Sequence, residues 1–93
     1  MKITEVRIFP AAADRFRAYA SVTFDDCFVI RDLKIIRGPK GHFVGMPSKR
    51  GKDGRYHEII SAITAEARNM LEEKVFAEYE KIIGVPVTRR KLS

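Results

Sequence analysis

Between Phe16 and Phe24 apolar and polar residues alternate: Phe16, Ala18, Ala20, Val22 and Phe24 share one parity, while Arg17, Tyr19, Ser21 and Thr23 share the other. Successive side chains of a strand point to opposite faces, so this pattern predicts a half-buried β-strand. Ile3 to Phe9 predicts an earlier strand, joined to it through Pro10 and the alanines and Asp14 that follow. Asp25-Asp26 predicts a tight turn, after which Cys27 to Arg37 places Val29, Leu33 and Ile35 on one parity and Phe28, Ile30 and Ile36 on the other. Such mixed parity predicts either a bulge near Arg31-Asp32 or burial on both faces.

Gly38-Pro39-Lys40-Gly41 reads as a second turn, and His42 to Met46 as a short strand that Pro47 stops or confines to a sheet edge. The segment that follows, Met46 to Arg55, reads as a hairpin loop, because Asp53-Gly54 combines a residue free to take positive φ with a side chain that bonds nearby backbone donors. Arg55 to Ile60 reads as the returning strand.

Helical periodicity then takes over. Ile63, Ala67, Met70, Leu71, Val75, Tyr79 and Ile82 recur at steps of three and four, with Phe76 and Ile83 widening the stripe. A cap at Thr64 or Ser61 and the stop signals Gly84 and Pro86 bound a helix from about Thr64 to Ile83. The elements define an α+β domain over residues 1–84: a small antiparallel sheet of about five strands followed by one long C-terminal helix. Residues 85–93, "VPVTRRKLS", read as a short, flexible basic tail.

A chain of 93 residues makes one domain with a thin core. One helix cannot cover both sides of the sheet, and its stripe is wider than a single contact needs, so a homodimer is expected. No apolar run is long enough to cross a bilayer and "MKITEVRIF" lacks the apolar core of a secretory signal, so a cytoplasmic protein without membrane insertion is expected. The lone Cys27 has no partner for a disulfide or a C-x-x-C site and reads as a small buried strand residue.

The formal charge of +6 is concentrated in one place. From Arg31 to His57 eight cations face only Asp32 and Asp53, whereas outside that window ten cations are matched by ten carboxylates. The densest part is "MPSKRGKDGR", Met46 to Arg55. An excess confined to one segment points to a polyanionic partner more strongly than scattered basicity does.

Catalysis finds little support in these residues. His42 and His57 stand fifteen positions apart on predicted strands, with no nucleophile motif, metal-ligand spacing or glycine-rich phosphate loop beside them. Asp25-Asp26 reads as a turn and Glu72-Glu73 as a solvated helix face, so no enzyme activity, metal or cofactor is expected. Phosphate binding suits the basic loop better. Its lysines and arginines neutralise phosphate, Ser48 and glycine amides can donate to phosphate oxygens, and Tyr56 and Phe43 offer stacking surfaces.

The runs Phe28 to Ile36 and Gly41 to Arg50, then Asp53-Gly54 and His57 to Ile60, resemble the stage V sporulation protein G family, SpoVG, and "MKITEVRI" and "ASVTFDD" fit its first strands. The likeness covers residues 1–83. It implies a dimeric bacterial cytoplasmic regulator, associated in sporulating relatives with negative control of asymmetric septation and in others with gene expression through DNA and RNA binding. Two readings follow. In the first, Ser48, Lys49, Arg50, Lys52 and Arg55 grip DNA or RNA, with Arg68, Lys74, Arg89, Arg90 and Lys91 extending the surface. In the second, the chain is a non-catalytic interaction module of the division machinery, its loop a latch whose turn Ser48 and Asp53 hold and whose cations meet an acidic partner or a bound anion.

Overall fold

The strand that alternation predicts most clearly forms the middle of the molecule. In the computed structural model, which describes residues 1–12 and 16–90, Ala18, Ala20, Val22 and Phe24 are buried along a strand spanning Ala18–Phe24. It is β2 of an antiparallel meander made of β1 (Ile3–Pro10), β2, β3 (Phe28–Gly38) and β4 (Gly41–Gly45), in the order β1-β2-β3-β4. Pro10 ends a strand at the sheet's edge, where a missing N–H costs no ladder bond. Asp14 of the connection between β1 and β2 lies outside the described residues.

The β2–β3 turn is built as its residues predict. Asp25 and Asp26 both take positive φ, 50° and 53°, and the Cys27 amide donates to the Phe24 carbonyl at 2.9 Å. Two left-handed residues match the twist of the flanking strands. Cys27 is thereby carried into an exposed turn, which corrects its reading as a buried strand residue. The mixed parity of β3 resolves into a bulge: Ala20 faces Leu33 but Val22 faces Ile30, leaving Arg31 and Asp32 opposite Ser21, with Asp32 at φ 63°. Two residues set against one let Ile30 and Leu33 turn toward the same side.

The segment after β4 departs from the expected single sheet of about five strands. Ser48–Arg50 (β5) and Tyr56–Glu58 (β6) pair only with each other, as a separate two-stranded sheet. Ser48 to Arg50, read as loop, are thus a strand, and the returning strand is shorter than Arg55 to Ile60. Pro47 explains the separation, because it removes a donor just where β4 would otherwise continue.

Helix α1 spans Ala65–Ile83. The Thr64 side chain caps it by accepting from the Ala67 amide, and Gly84, in the left-handed conformation, closes it with an N–H bond to Glu80. Leu71, Val75, Phe76 and Tyr79 press onto Ala18, Ala20, Val22, Leu33, Ile35 and Val44 to form the core. Each fully buried branched aliphatic among them contributes about 2 kcal/mol by leaving water. Met70 of the predicted stripe packs partly against this core, while the ends of the stripe stay outside, with Ile63 at 92% and Ile82 at 50% exposure. Among the described residues no helix is long and apolar enough to cross a membrane.

The tail departs most from expectation. Residues through Arg90 are laid against the outer edge of β4 rather than left free: His42 donates its amide to the Thr88 carbonyl, and Arg90 donates to the His42 carbonyl, each at 2.8 Å. Arg89 and His42 form a parallel bridge. The Glu80 carboxylate also accepts from the Val87 amide at 2.7 Å, while Val87 packs on the core. The sheet edge supplies backbone groups that composition alone gives no sign of.

Candidate nucleic-acid interface

Five of the ten residues predicted to touch nucleic acid come together on one exposed hairpin. The register pairs Ser48 with Glu58, Lys49 with His57 and Arg50 with Tyr56. Residues 51–55 form the loop, closed by the Gly51 amide donating to the Arg55 carbonyl at 2.8 Å and the Gly54 amide to the Gly51 carbonyl at 3.1 Å. Gly54 sits at φ 81°, a conformation that suits glycine. One more bond, from Ile59 N–H to the Pro47 carbonyl at 2.8 Å, ties down the hairpin base.

Asp53 organises the loop from inside. Its carboxylate accepts from the Arg55 amide at 3.0 Å and lies 3.2 Å from Nε2 of His57. The Arg55 backbone bond, then the His57 bond, hold its pKa below the usual carboxylate value. The anion is therefore used within the turn. Lys49, Arg50, Lys52 and Arg55 are exposed and form no ion pair among the described residues. Four cations on so short a hairpin hold one another apart and favour a bound anion.

The other predicted contacts are dispersed. Arg68 is drawn inward: its Nε lies 3.1 Å from the Glu72 carboxylate, its Nη2 donates to the Val44 carbonyl, and Glu72 in turn accepts from the Val44 amide at 3.0 Å. Glu72 is only 2% exposed, so the pair joins α1 to β4 and Arg68 is withdrawn from the exposed basic surface. This also corrects the reading of Glu72 as part of a solvated face. A carboxylate one helical turn after an arginine is a local signal, but only the fold determines whether such a pair lies in or out.

Lys74 is exposed on the far side of the domain, in a groove with Ile3 to Val6 of β1 and with Glu78. Arg89 pairs along β4, and the Arg90 guanidinium sits 4.3 Å over the Phe43 ring. Phe43 is thus covered by a cation rather than open for stacking, whereas Tyr56 is 72% exposed on the hairpin. Lys91 lies outside the described residues. His42 makes an edge-on contact with Phe76, the ring centroids 6.4 Å apart, and its Nδ1 lies 3.3 Å from the Thr88 carbonyl.

Two further surfaces stand out. One is an apolar groove of about 490 Å³ between the start of β3 and the start of α1, lined by Phe28, Ile30, Met46, Ile60, Ile63 and Met70. The other is the sheet face turned away from the helix, where Phe9 and Tyr19 are adjacent and partly exposed, at 52% and 38%.

The fold and these surfaces define a class: a small α+β domain with a helix on one sheet face, an open opposite face and a projecting basic hairpin. Within that class the chain belongs to the SpoVG family, whose model matches residues 1–81. It is 52% identical to a Bdellovibrio bacteriovorus protein named "Putative septation protein SpoVG", over 87% of this chain and 75% of that one. A protein of the same name from Phytoplasma australiense is 39% identical over 94% of this chain and 92% of its own length. "Putative septation protein SpoVG 2" of Listeria monocytogenes is 45% identical over 88% and 81%.

Proposed function

We propose that this chain is a regulator of septation and gene expression that binds DNA or RNA through its basic hairpin. The observation that carries the reading is the set of four exposed cations, Lys49, Arg50, Lys52 and Arg55, on the Ser48–Glu58 hairpin, with Asp53 turned inward and held by its own loop. The septation role rests on the names its relatives carry. Ser48 and the loop amides add neutral donors to phosphate oxygens. Arg89 and Arg90 form a second basic patch at the other end of β4, apart from the hairpin, and the regulator works as a homodimer in the cytoplasm without catalysing a reaction.

The test is the salt dependence of binding to duplex DNA and to RNA. Each phosphate contact contributes about 0.9 to the slope of log affinity against log salt on duplex DNA, so Lys49→Ala with Arg50→Ala lowers both affinity and slope. Unchanged affinity and slope would remove the hairpin from the interface.

The apolar groove around Phe28 and Ile63 favours a second reading, an interaction module of the division machinery that meets a protein partner. Failure of the wild-type chain to bind either nucleic acid at moderate salt decides for that reading.

A further inference from the structure

We infer that the open face of the four-stranded sheet is a stacking platform for single-stranded nucleic acid, continuous with the basic hairpin. This rests on the nucleic-acid reading above and adds to it the strandedness of the ligand and a second set of contacts.

Residues that alternate with the buried set of β1, β2 and β3 all point to this face. The ladder places Phe9 opposite Tyr19 and Tyr19 opposite Lys34, with Arg7 opposite Ser21 one step along. Directly opposed side chains on adjacent strands stand about 5 Å apart, so Phe9 and Tyr19 present neighbouring π-faces. Tyr19 is further supported by Phe16, whose ring centroid lies 4.7 Å away, and Lys34 places its Nζ 5.3 Å from the centre of the Phe16 ring.

A groove of about 480 Å³ leads from this face to the hairpin, bordered by Tyr19 and Lys34 on one side and Pro47, Ser48 and Tyr56 on the other. Phe9, Tyr19 and Tyr56 therefore mark a path from the sheet to Lys49 and Arg50. Aromatic rings along a cationic track are how proteins bind single strands: bases stack on the rings while the cations neutralise the backbone. A duplex keeps its bases stacked inside and offers these rings nothing.

The composition of the face favours bases over a second protein. Phe9 and Tyr19 are set among Arg7, Ser21, Arg31, Asp32 and Lys34, whereas the core of a protein interface is depleted of charge. Of the two acids there, Glu5 is already paired with Arg7, at 3.1 Å, and Asp32 is outnumbered by Arg31 and Lys34.

Fluorescence anisotropy with labelled twelve-residue uridine RNA, thymidine DNA of the same length and a duplex DNA tests this. Phe9→Leu and Tyr19→Leu keep apolar bulk at partly exposed strand positions, and matching thermal midpoints establish that both variants fold. Each is expected to weaken single-strand binding about tenfold while leaving duplex binding and the salt slope unchanged. The ratio of RNA to DNA affinity in the wild type reports whether the 2′-hydroxyl is read.

The chain has no tryptophan and Tyr79 is buried, so a single strand is also expected to quench emission from Tyr19 and Tyr56, and to quench less in Tyr19→Leu. Wild-type affinity in both leucine variants, alongside weakened Lys49→Ala with Arg50→Ala, overturns the platform and leaves the hairpin reading standing. If the wild type binds none of the three probes, both fall. A change of mass in solution in the leucine variants, with single-strand affinity intact, makes the face a subunit contact and also overturns the platform.

Discussion

Glu72 and Arg68 carry the largest electrostatic risk in the molecule. A carboxylate 2% exposed is tolerable because Arg68 and the Val44 amide both reach it. Removing Arg68 leaves that charge buried and uncompensated, so Arg68→Ala is expected to cost about 3 kcal/mol of stability in a urea titration. Glu72→Gln costs less, because it keeps an oxygen for the Val44 amide. Lys49→Ala, on the exposed hairpin, stays within about 0.5 kcal/mol of the wild type. Equal losses from Arg68→Ala and Lys49→Ala would show that the buried pair is not what joins α1 to β4. Along the chain Glu72 differs from Glu73 only in standing one helical turn after Arg68, which marks a pair but not its burial. Burial is decided by which turn of the helix faces β4, and no local pattern states that.

At the scale of elements, short-range features were the legible ones. The Asp25-Asp26 turn, the bulge at Arg31-Asp32, the Asp53-Gly54 turn and the Thr64 cap each depend on residues a few positions apart. Ser48–Arg50 was not legible as a strand, because a serine and two cations lack the β-branched or aromatic residues that signal one. The docked tail was hidden for a different reason: Thr88 meets His42 across 46 positions. Gly41 makes that docking possible. It stands at φ 125°, and a Cβ there would lie 2.9 Å from the Arg89 carbonyl carbon and the Arg90 nitrogen. Gly41→Ala therefore combines backbone strain of about 1–3 kcal/mol with a direct clash. Its expected effect is loss of hydrogen-exchange protection at the His42 and Arg90 amides, with the β2–β3 ladder still protected. Unchanged protection at those two amides would mean that the tail is not held as described.

For the whole molecule, the amino-acid pattern predicted more apolar surface than one copy buries. Ile63, at 92% exposure, and Phe28, at 76%, border the same groove. If a second copy covers it, sedimentation of the wild-type chain gives a dimer mass and Ile63→Asp gives a monomer, since an interface core excludes an unpaired charge. A wild-type mass of one chain at all concentrations would leave the groove for another partner. By itself the sequence determined the α+β class, the order of the main strands and the final helix, because periods of two and of three to four are set by backbone geometry within each element. It also determined where the excess charge lies along the chain. Only the tertiary structure decided which cations share a surface. Lys49, Arg50, Lys52 and Arg55 remain together because one hairpin carries them, whereas Arg68, Lys74 and Arg90 are separated by the packing of α1 across one sheet face and of the tail along the β4 edge. Neighbours in sequence share a surface through local geometry, but distant residues do so only where burial of the apolar core brings their elements together.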